Sequence, residues 1–261
     1  MPSVFALIIA GIVGGFLSGM FGVGGGLVMV PLLIWLARMD QRRASATSLV
    51  AIVPTALVGS IGYAIGGEIN FAAAGLIAIG GIAGAPMGAL LLRKLSLTWL
   101  RWLLFAVMVL AAVRLIAVIP VRGTSFTLDV VTSVALVLLG LVMGLSSGLF
   151  GIGGGIIVVP ALVALFGVND LAAKGTSLLA MIPAALSGSI PNLRAGLVKL
   201  SDGLVVGASA VLASLGGVSL AFLVPPALSG ILFGAFLLVV AIRMVIVAQL
   251  KERQKKMGEA S

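Results

Sequence analysis

The stretch SGMFGVGGGLVMVPLL at residues 18–33 returns 129 residues later as SGLFGIGGGIIVVPAL at residues 147–162. Ten of the sixteen positions are identical, and each copy holds four glycines within five residues. A second block keeps the offset, because residues 44–61 match residues 173–190 at eleven of eighteen positions. A constant offset indicates an internal duplication. A glycine-interrupted apolar segment at the same place in both halves is typical of a secondary transporter's binding site.

The composition excludes a soluble protein. Of the 261 residues, 61% are hydrophobic and only 9% are charged, and long apolar runs recur along the chain. We therefore expect an all-α polytopic protein whose surroundings are the lipid bilayer. A net charge of +9 would suggest a nucleic-acid partner for a soluble protein. Here the cations lie at the ends of apolar segments, so membrane topology explains them and no nucleic-acid partner is expected.

Catalytic and metal-binding residue types are scarce. The chain contains no Cys and no His, and its seven carboxylates lie at the ends of apolar segments or between them. We therefore expect no enzyme activity, no cofactor and no metal, and neither a membrane scaffold nor a membrane-embedded enzyme finds support. Met1 is not followed by a basic region, so the first apolar segment is expected to be retained rather than cleaved.

Two of the apolar segments are too long for one membrane crossing. The segments are 4–36, 44–66, 70–92, 98–119, 127–166, 172–193, 200–224 and 227–248. A single helix over 4–36 would be about 50 Å long, against a hydrocarbon core of about 30 Å. Both long segments contain the glycine run, which is a poor helix interior. Each is therefore predicted to be a longer helix, a glycine break and a short second helix.

The distribution of Lys and Arg predicts the path of these broken segments. If each crosses the membrane once, the sixteen cations divide seven to nine between the two sides. If each returns to its starting side, they divide thirteen to three, with only Arg114, Arg122 and Lys174 on the minority side. The positive-inside rule favours the second division. Each half then has a re-entrant or hairpin helix plus three spans, which makes the two repeats inverted in topology.

This topology predicts a multi-pass inner-membrane protein with both termini in the cytoplasm. Residues 1–122 form the first membrane repeat, residues 123–250 form the second, and residues 251–261 form a basic cytoplasmic tail. Alternating access is expected from one repeat rocking against the other.

The glycine breaks are the predicted substrate site. Helices that begin near Gly25 and Gly154 would present unbonded amide groups and the positive end of the helix dipole, which suits an anion. The alternative is that these glycines only allow close helix packing. Valine at Gly25 or Gly154 is predicted to remove transport while leaving folded protein. The predicted substrate-binding residues are Ser18, Gly22, Gly24, Gly25, Gly26, Thr47, Ser48, Ser147, Gly151, Gly153, Gly154, Gly155, Thr176 and Ser177.

Other motifs are interpreted as structural. Glycines repeat every four residues at 11/15/19, 80/84/88 and 140/144/148, a pattern that predicts helix–helix contacts. Such faces would serve a monomer as well as a homodimer. Asp129 and Asp202 are predicted to cap helix N-termini.

The missing mid-membrane carboxylates argue against a cation substrate and favour export of an anion. An inside-negative potential drives an anion outward by about 2.3 kcal/mol per charge per 100 mV, so export needs no coupled proton.

The duplicated motif resembles one transporter family over nearly the whole chain. The resemblance lies in GMFGVGGGL at 19–27 with Val30-Pro31, its second copy through Val159-Pro160, the Thr-Ser-Leu triplets ending at Leu49 and Leu178, and GAPMG at 84–88. The chain resembles the sulfite exporter TauE/SafE family, also called the 4-toluene sulfonate uptake permease family, whose members are commonly drawn with eight spans. The resemblance implies a bacterial-type membrane transporter for sulfite, sulfonates or related organosulfur anions, often an exporter. The remaining alternatives are a proton-coupled importer of sulfate or an organic anion, and an anion channel.

Overall fold

The computed structural model describes residues 3–96 and 129–225, together with parts of 99–113 and 227–242. Its complete helices are α1 (Val4–Phe21), α2 (Gly26–Trp35), α3 (Gln41–Ile65), α4 (Phe71–Lys94), α5 (Val130–Phe150), α6 (Gly155–Phe166), α7 (Asp170–Arg194) and α8 (Leu200–Leu223). The predicted all-α membrane class is confirmed, because six of these helices, all but α2 and α6, are long and apolar enough to cross a membrane. The boundary at 122/123 and the tail 251–261 lie outside the described residues, as does much of the predicted spans 98–119 and 227–248.

The first glycine break turns α1 and α2 into a hairpin. α1 ends at Phe21 and is capped by Gly22, whose amide donates to the carbonyl of Ser18 at 2.8 Å, and α2 begins at Gly26. α2 then folds back along α1, because Gly14 in the middle of α1 lies against Met29 of α2. The second break does the same, with Gly154 against Met143 of α5. Both broken segments therefore return toward the end from which they started, as the charge distribution predicted.

Stripes of small residues hold two pairs of parallel helices together. Contacts between α1 and α8 advance in the same direction along both helices, joining Gly11 to Val206, Gly15 to Ala210 and Gly19 to Ser214. Contacts between α4 and α5 do likewise, joining Gly80 to Val137, Gly84 to Leu141 and Gly88 to Leu145. The predicted helix–helix role of these glycines is confirmed. These three stripes are therefore covered by other helices of the same chain.

These pairings exchange one helix between the two halves. α8 is the repeat copy of α4, yet α1 packs against α8, and α5 packs against α4. We define the first bundle as α1, α2, α3 and α8, and the second bundle as α4, α5, α6 and α7. The bundles contact each other chiefly through α3 and α7. That contact is reciprocal, since Gly59 meets Leu178 and Gly188 meets Leu49. The packing units thus mix the two sequence repeats.

The charged residues distinguish the two ends of the helix assembly. At the basic end, the Arg42 guanidinium donates to the Leu95 carbonyl at 3.2 Å, and Arg43 pairs with Asp202 at 2.8 Å. The described cations of this end are Arg38, Arg42, Arg43, Arg93, Lys94, Arg194 and Lys199. At the opposite end, the Asn169 amide donates to Glu68 at 3.1 Å, and Lys174 is the one cation that the described residues hold there.

The two hairpins open at different ends. Because α1 runs parallel to α8, whose first residues lie at the basic end, the first hairpin opens there. Because α5 runs parallel to α4, which begins at the opposite end, the second hairpin opens at that opposite end. Inverted repeats would produce this arrangement, and their orientation in a bilayer stays a prediction.

One of the two predicted helix caps is wrong. Asp129 caps α5 as predicted, accepting from the Thr132 amide at 2.7 Å. The N-cap position of α8 is instead Lys199, and Asp202 lies in the first turn. Its carboxylate turns to Arg43 on α3, since a guanidinium within reach is a stronger partner than a backbone amide.

Candidate functional site: the two glycine breaks

Each break depends on glycine because its backbone is left-handed. Gly22, Gly24 and Gly25 have φ values of 70, 78 and 72°. Their copies Gly151, Gly153 and Gly154 have φ values of 68, 80 and 78°. A residue with a Cβ adopts this conformation at a cost of about 1–2 kcal/mol. The local sequence thereby ends one helix, reverses the chain and starts another within four residues.

The two breaks run past each other in opposite directions at the centre of the protein. A Cβ at Gly24 would lie 3.5 Å from the Cα of Gly153. A Cβ at Gly26 would lie 2.7 Å from the Cα of Ile152, and one at Gly155 would lie 2.6 Å from the Cα of Val23. The glycines are therefore needed for close approach of backbones as well as for their φ angles.

Both breaks hold a row of buried amide groups that have no acceptor among the described residues. In the first break these are the amides of residues 23–27, and the first amides bonded beyond it, Val28 and Met29, donate to the Gly25 carbonyl. In the second break they are the amides of 152–156, followed by Ile157 and Val158 donating to Gly154. All ten residues are buried. Each row lies at the N-terminus of a helix, where the dipole favours negative charge.

The predicted hydroxyl ligands fall into two groups. Ser18, Ser147 and Ser177 are fully buried, and their hydroxyls have no partner among the described residues. Ser48, the repeat partner of Ser177, donates to the Gly151 carbonyl at 2.8 Å. These serines lie just before the breaks or early in the helices that pack against them.

The two predicted threonines contact the connections between helices instead. The Thr47 hydroxyl faces the sulfur of Met39 at 3.8 Å, just before α3. Thr176 accepts from the Asn70 amide at 3.0 Å, just before α4. Their bonds hold neighbouring segments in position, so of the predicted hydroxyls the three unpartnered serines have the freest donors.

Two apolar side chains that sequence reasoning missed close the junction of the breaks. The sulfur of Met181 would lie 2.8 Å from a Cβ at Gly24 and 2.9 Å from one at Gly153. The methyl carbons of Ile52 would lie 3.5 and 3.3 Å from the same two added carbons. Ile52 and Met181 are repeat copies of each other, fully buried on α3 and α7. The repeat offset of 129 residues pairs these two positions and was the sequence signal that could have identified them. In this structure the junction is filled, so a substrate can lie there only after the breaks separate.

The glycines that flank the junction are held by their own hairpins. A Cβ at Gly25 would collide with the Gly14 carbonyl, and one at Gly154 would lie 2.6 Å from the Met143 carbonyl oxygen. Valine at either position would therefore disturb the packing of the hairpin as well as any anion binding. A substitution elsewhere in the break is a better test of the predicted loss of transport in a folded protein.

A buried lysine beside the first break was also missed. Lys174 is 2% exposed, and its Nζ lies 2.7 Å from the Asp170 carboxylate and 2.9 Å from the Ser229 hydroxyl. Its Cα would lie 2.5 Å from a Cβ at Gly22. In the sequence it resembles a cation at the end of a span, because it lies one turn from Asp170. Its burial comes from the tip of the first hairpin, which no local pattern indicates.

A pocket of about 530 Å³ opens at the basic end, between the start of α3 and the connection from α7 to α8. It is lined by Asp40, Arg42, Arg43, Gly196, Leu197 and Lys199. The Asp40 carboxylate is taken by two backbone amides, and Arg43 is paired with Asp202. Arg42 and Lys199 add two further cations to the lining, so the pocket presents net positive charge. Those residues include no cluster of three or more potential metal ligands.

Comparison with known proteins identifies relatives along most of the chain. The sequence model for the sulfite exporter TauE/SafE matches residues 1–115 and 136–260. A probable membrane transporter protein of Haemophilus influenzae is 27% identical over 262 residues, covering 93% of this chain and 98% of that protein. The probable membrane transporter protein YunE of Bacillus subtilis is 26% identical over 221 residues, 76% of this chain and 81% of its own. A probable membrane transporter protein of Xylella fastidiosa is 31% identical over 174 residues, 64% of this chain and 65% of its own.

Proposed function

The chain belongs to the sulfite exporter TauE/SafE family, and from that premise we propose that it carries small sulfur-containing anions out of the cell across the inner membrane. It is a multi-pass membrane transporter rather than an enzyme. Sulfite, sulfonates and related organosulfur anions are the substrate class. In this proposal the basic end faces the cytoplasm, and both chain termini are cytoplasmic.

The observation that carries the proposal is the pair of buried amide rows at residues 23–27 and 152–156. An unbonded polar group in the membrane interior costs free energy that a ligand with several acceptor oxygens would recover. Sulfite and sulfonates carry three oxygens and a negative charge, which matches amide donors at a helix N-terminus. A cation would need oxygen ligands, and the carboxylates described by the structure lie at the two ends of the helices.

Hydroxyl groups complete the proposed site. Ser18, Ser147 and Ser177 are buried, lie beside the breaks and have donors to offer. A site made of backbone amides and hydroxyls binds an anion without a permanent countercharge, so the anion can leave again. This balance between binding and release is what a carrier needs.

Alternating access in this account moves the two bundles rather than the two sequence repeats. Because α8 packs in the first bundle and α4 packs in the second, the repeats cannot rock as separate bodies. The bundles touch chiefly through α3, α7 and the two breaks. Their separation at the basic end would connect the breaks to the pocket near Arg42, and separation at the opposite end would release the anion.

The proposed direction follows from the membrane potential. An inside-negative potential favours anion exit by about 2.3 kcal/mol per charge per 100 mV. The pocket at the basic end would concentrate anions from the cytoplasm before they reach the breaks.

The test is flux of radiolabelled sulfite and of an organosulfonate in proteoliposomes, with membrane potential and pH gradient imposed separately. Saturable flux that follows the potential alone supports an uncoupled exporter. Dependence on a pH gradient would support a proton-coupled importer instead. Flux that does not saturate would indicate a channel, and no flux of any sulfur oxyanion would overturn the substrate class.

A further inference from the structure

The buried ammonium of Lys174 has more bonding capacity than its neighbours use. A lysine ammonium carries three N–H donors, and two of them go to Asp170 and Ser229 at 2.7 and 2.9 Å. No third acceptor lies among the described residues. A charged group that is only 2% exposed is costly unless its bonds are made. The incomplete set of bonds therefore leaves room for one more acceptor.

Lys174 lies beside the start of the first break. The backbone and the first side-chain carbons of Lys174 pack against Gly22, where the break begins. The equivalent contact at the second break is between Ser45 and Gly151, and the Ser45 hydroxyl is buried without a partner among the described residues. Among the described residues, only the first break has a fixed positive charge beside it, on the side away from the basic end.

We propose that Lys174 binds the transported anion directly, as the last contact before release at the opposite end. The ligand is a small oxyanion with at least one negative charge. With no anion present, the ammonium bonds Asp170, and the arriving anion competes with that carboxylate. This inference rests on the proposed function and adds a charged ligand to a site made otherwise of amides and hydroxyls.

Because the anion and Asp170 compete for the ammonium, removing the charge of Lys174 and removing the charge of Asp170 should change anion affinity in opposite directions. Removing the charge of Lys174 removes a ligand, so the anion binds more weakly. Removing the charge of Asp170 removes a competitor, so the anion binds more strongly. A pair with a purely structural role would behave differently, since either change would leave anion affinity alone or shift it in the same direction through lost stability.

The experiment compares Lys174→Gln, Asp170→Asn and Lys174→Arg for the sulfite concentration that gives half-maximal flux in proteoliposomes. A charge-assisted hydrogen bond is worth about tenfold in affinity or more. We expect Lys174→Gln to raise that concentration by about tenfold and Asp170→Asn to lower it several-fold. Lys174→Arg keeps the charge and should fall closer to the wild type. Lys94→Gln removes an exposed cation at the far end of the protein and serves as the matched control.

The outcomes distinguish an anion-binding role of Lys174 from a purely structural one. Shifts of the two variants in the same direction, or no shift in Lys174→Gln, would overturn the role of Lys174 while sulfite transport by the wild type stands. If Lys174→Gln fails to fold, as judged by size-exclusion chromatography, Asp170→Asn alone carries the test, and unchanged or weaker sulfite affinity in that variant refutes the proposal. Absence of saturable sulfite flux in the wild type would overturn both this inference and the proposed function.

Discussion

Alanine at Gly24 should destabilise the protein much more than alanine at Gly67, although both glycines have the same left-handed backbone. Their φ values are 78 and 72°, so a Cβ costs about 1–2 kcal/mol of strain at either position. At Gly67 nothing lies within 4 Å of the added carbon. At Gly24 the carbon would lie 2.8 Å from the Met181 sulfur and 3.5 Å from Gly153. Overpacking of this kind adds about 1–3 kcal/mol.

The assay is unfolding of the purified protein in detergent, followed by circular dichroism, together with sulfite flux in proteoliposomes. We expect Gly24→Ala to lose about 2–5 kcal/mol of stability and Gly67→Ala to lose about 1–2 kcal/mol. Flux at a temperature where both variants are folded should fall in Gly24→Ala and stay near that of the wild type in Gly67→Ala.

A double variant identifies the cause of the loss. Met181→Ala makes room beside Gly24, so the combination Gly24→Ala with Met181→Ala should lose less than the sum of the single changes. Equal losses in Gly24→Ala and Gly67→Ala would refute the reasoning, because they would mean that the two breaks and Met181 are not closely packed.

Three further predictions concern side-chain bonds. Ser48→Ala should lower stability by about 1 kcal/mol, because it removes the 2.8 Å bond to the Gly151 carbonyl. Ser177→Ala breaks no bond among the described residues, so its melting temperature should stay unchanged, while the sulfite concentration for half-maximal flux should rise about two- to tenfold. A larger stability loss in Ser177→Ala than in Ser48→Ala would contradict both assignments. Hydrogen bonds from Thr132 lower the pKa of Asp129. This cap therefore stabilises the folded protein at pH values above the usual carboxyl pKa of 3.8. That stabilisation is lost as the pH falls through the lowered pKa. Asp129→Asn should therefore show a smaller drop in melting temperature on acidification below about pH 4 than the wild type, and an identical drop would show that the cap does not titrate as described.

The sequence predicts the hairpins well because their causes are local. Four glycines in five residues cannot continue a helix, and the apolar run around them is too long for one crossing. Helix starts expected near Gly25 and Gly154 fall at Gly26 and Gly155. The small-residue stripes were likewise predicted to make helix contacts, because their spacing of four repeats the helical face.

The choice of partner for each stripe could not be predicted. Nothing in the spacing of Gly11, Gly15 and Gly19 says that α8 rather than α4 will cover them. That choice depends on contacts between residues about 200 positions apart, such as Gly11 with Val206. The exchange of α4 and α8 between bundles follows from it, and so does the revised picture of which bodies move.

Part of the candidate site was missed for a similar reason. Ile52 and Met181 have no chemistry to mark them, and only the antiparallel contact of the two breaks brings them to one point. Lys174 has the chemistry, but its place one turn from Asp170 suggests a cation at a membrane surface. Asp202 was assigned to a cap because the sequence does not show that Arg43 lies 2.8 Å away.

Backbone amides of the two breaks are the proposed ligands of the transported anion. NMR of the protein labelled with ¹⁵N-glycine in nanodiscs and titrated with sulfite tests this proposal. We expect saturable shifts of the amide signals of Gly24, Gly25 and Gly26 and of Gly153, Gly154 and Gly155, at the concentrations that saturate flux. The signals of Gly67 and Gly75, whose surroundings are open, should not move. Saturated flux without movement of the break signals would show that these amides do not bind the anion.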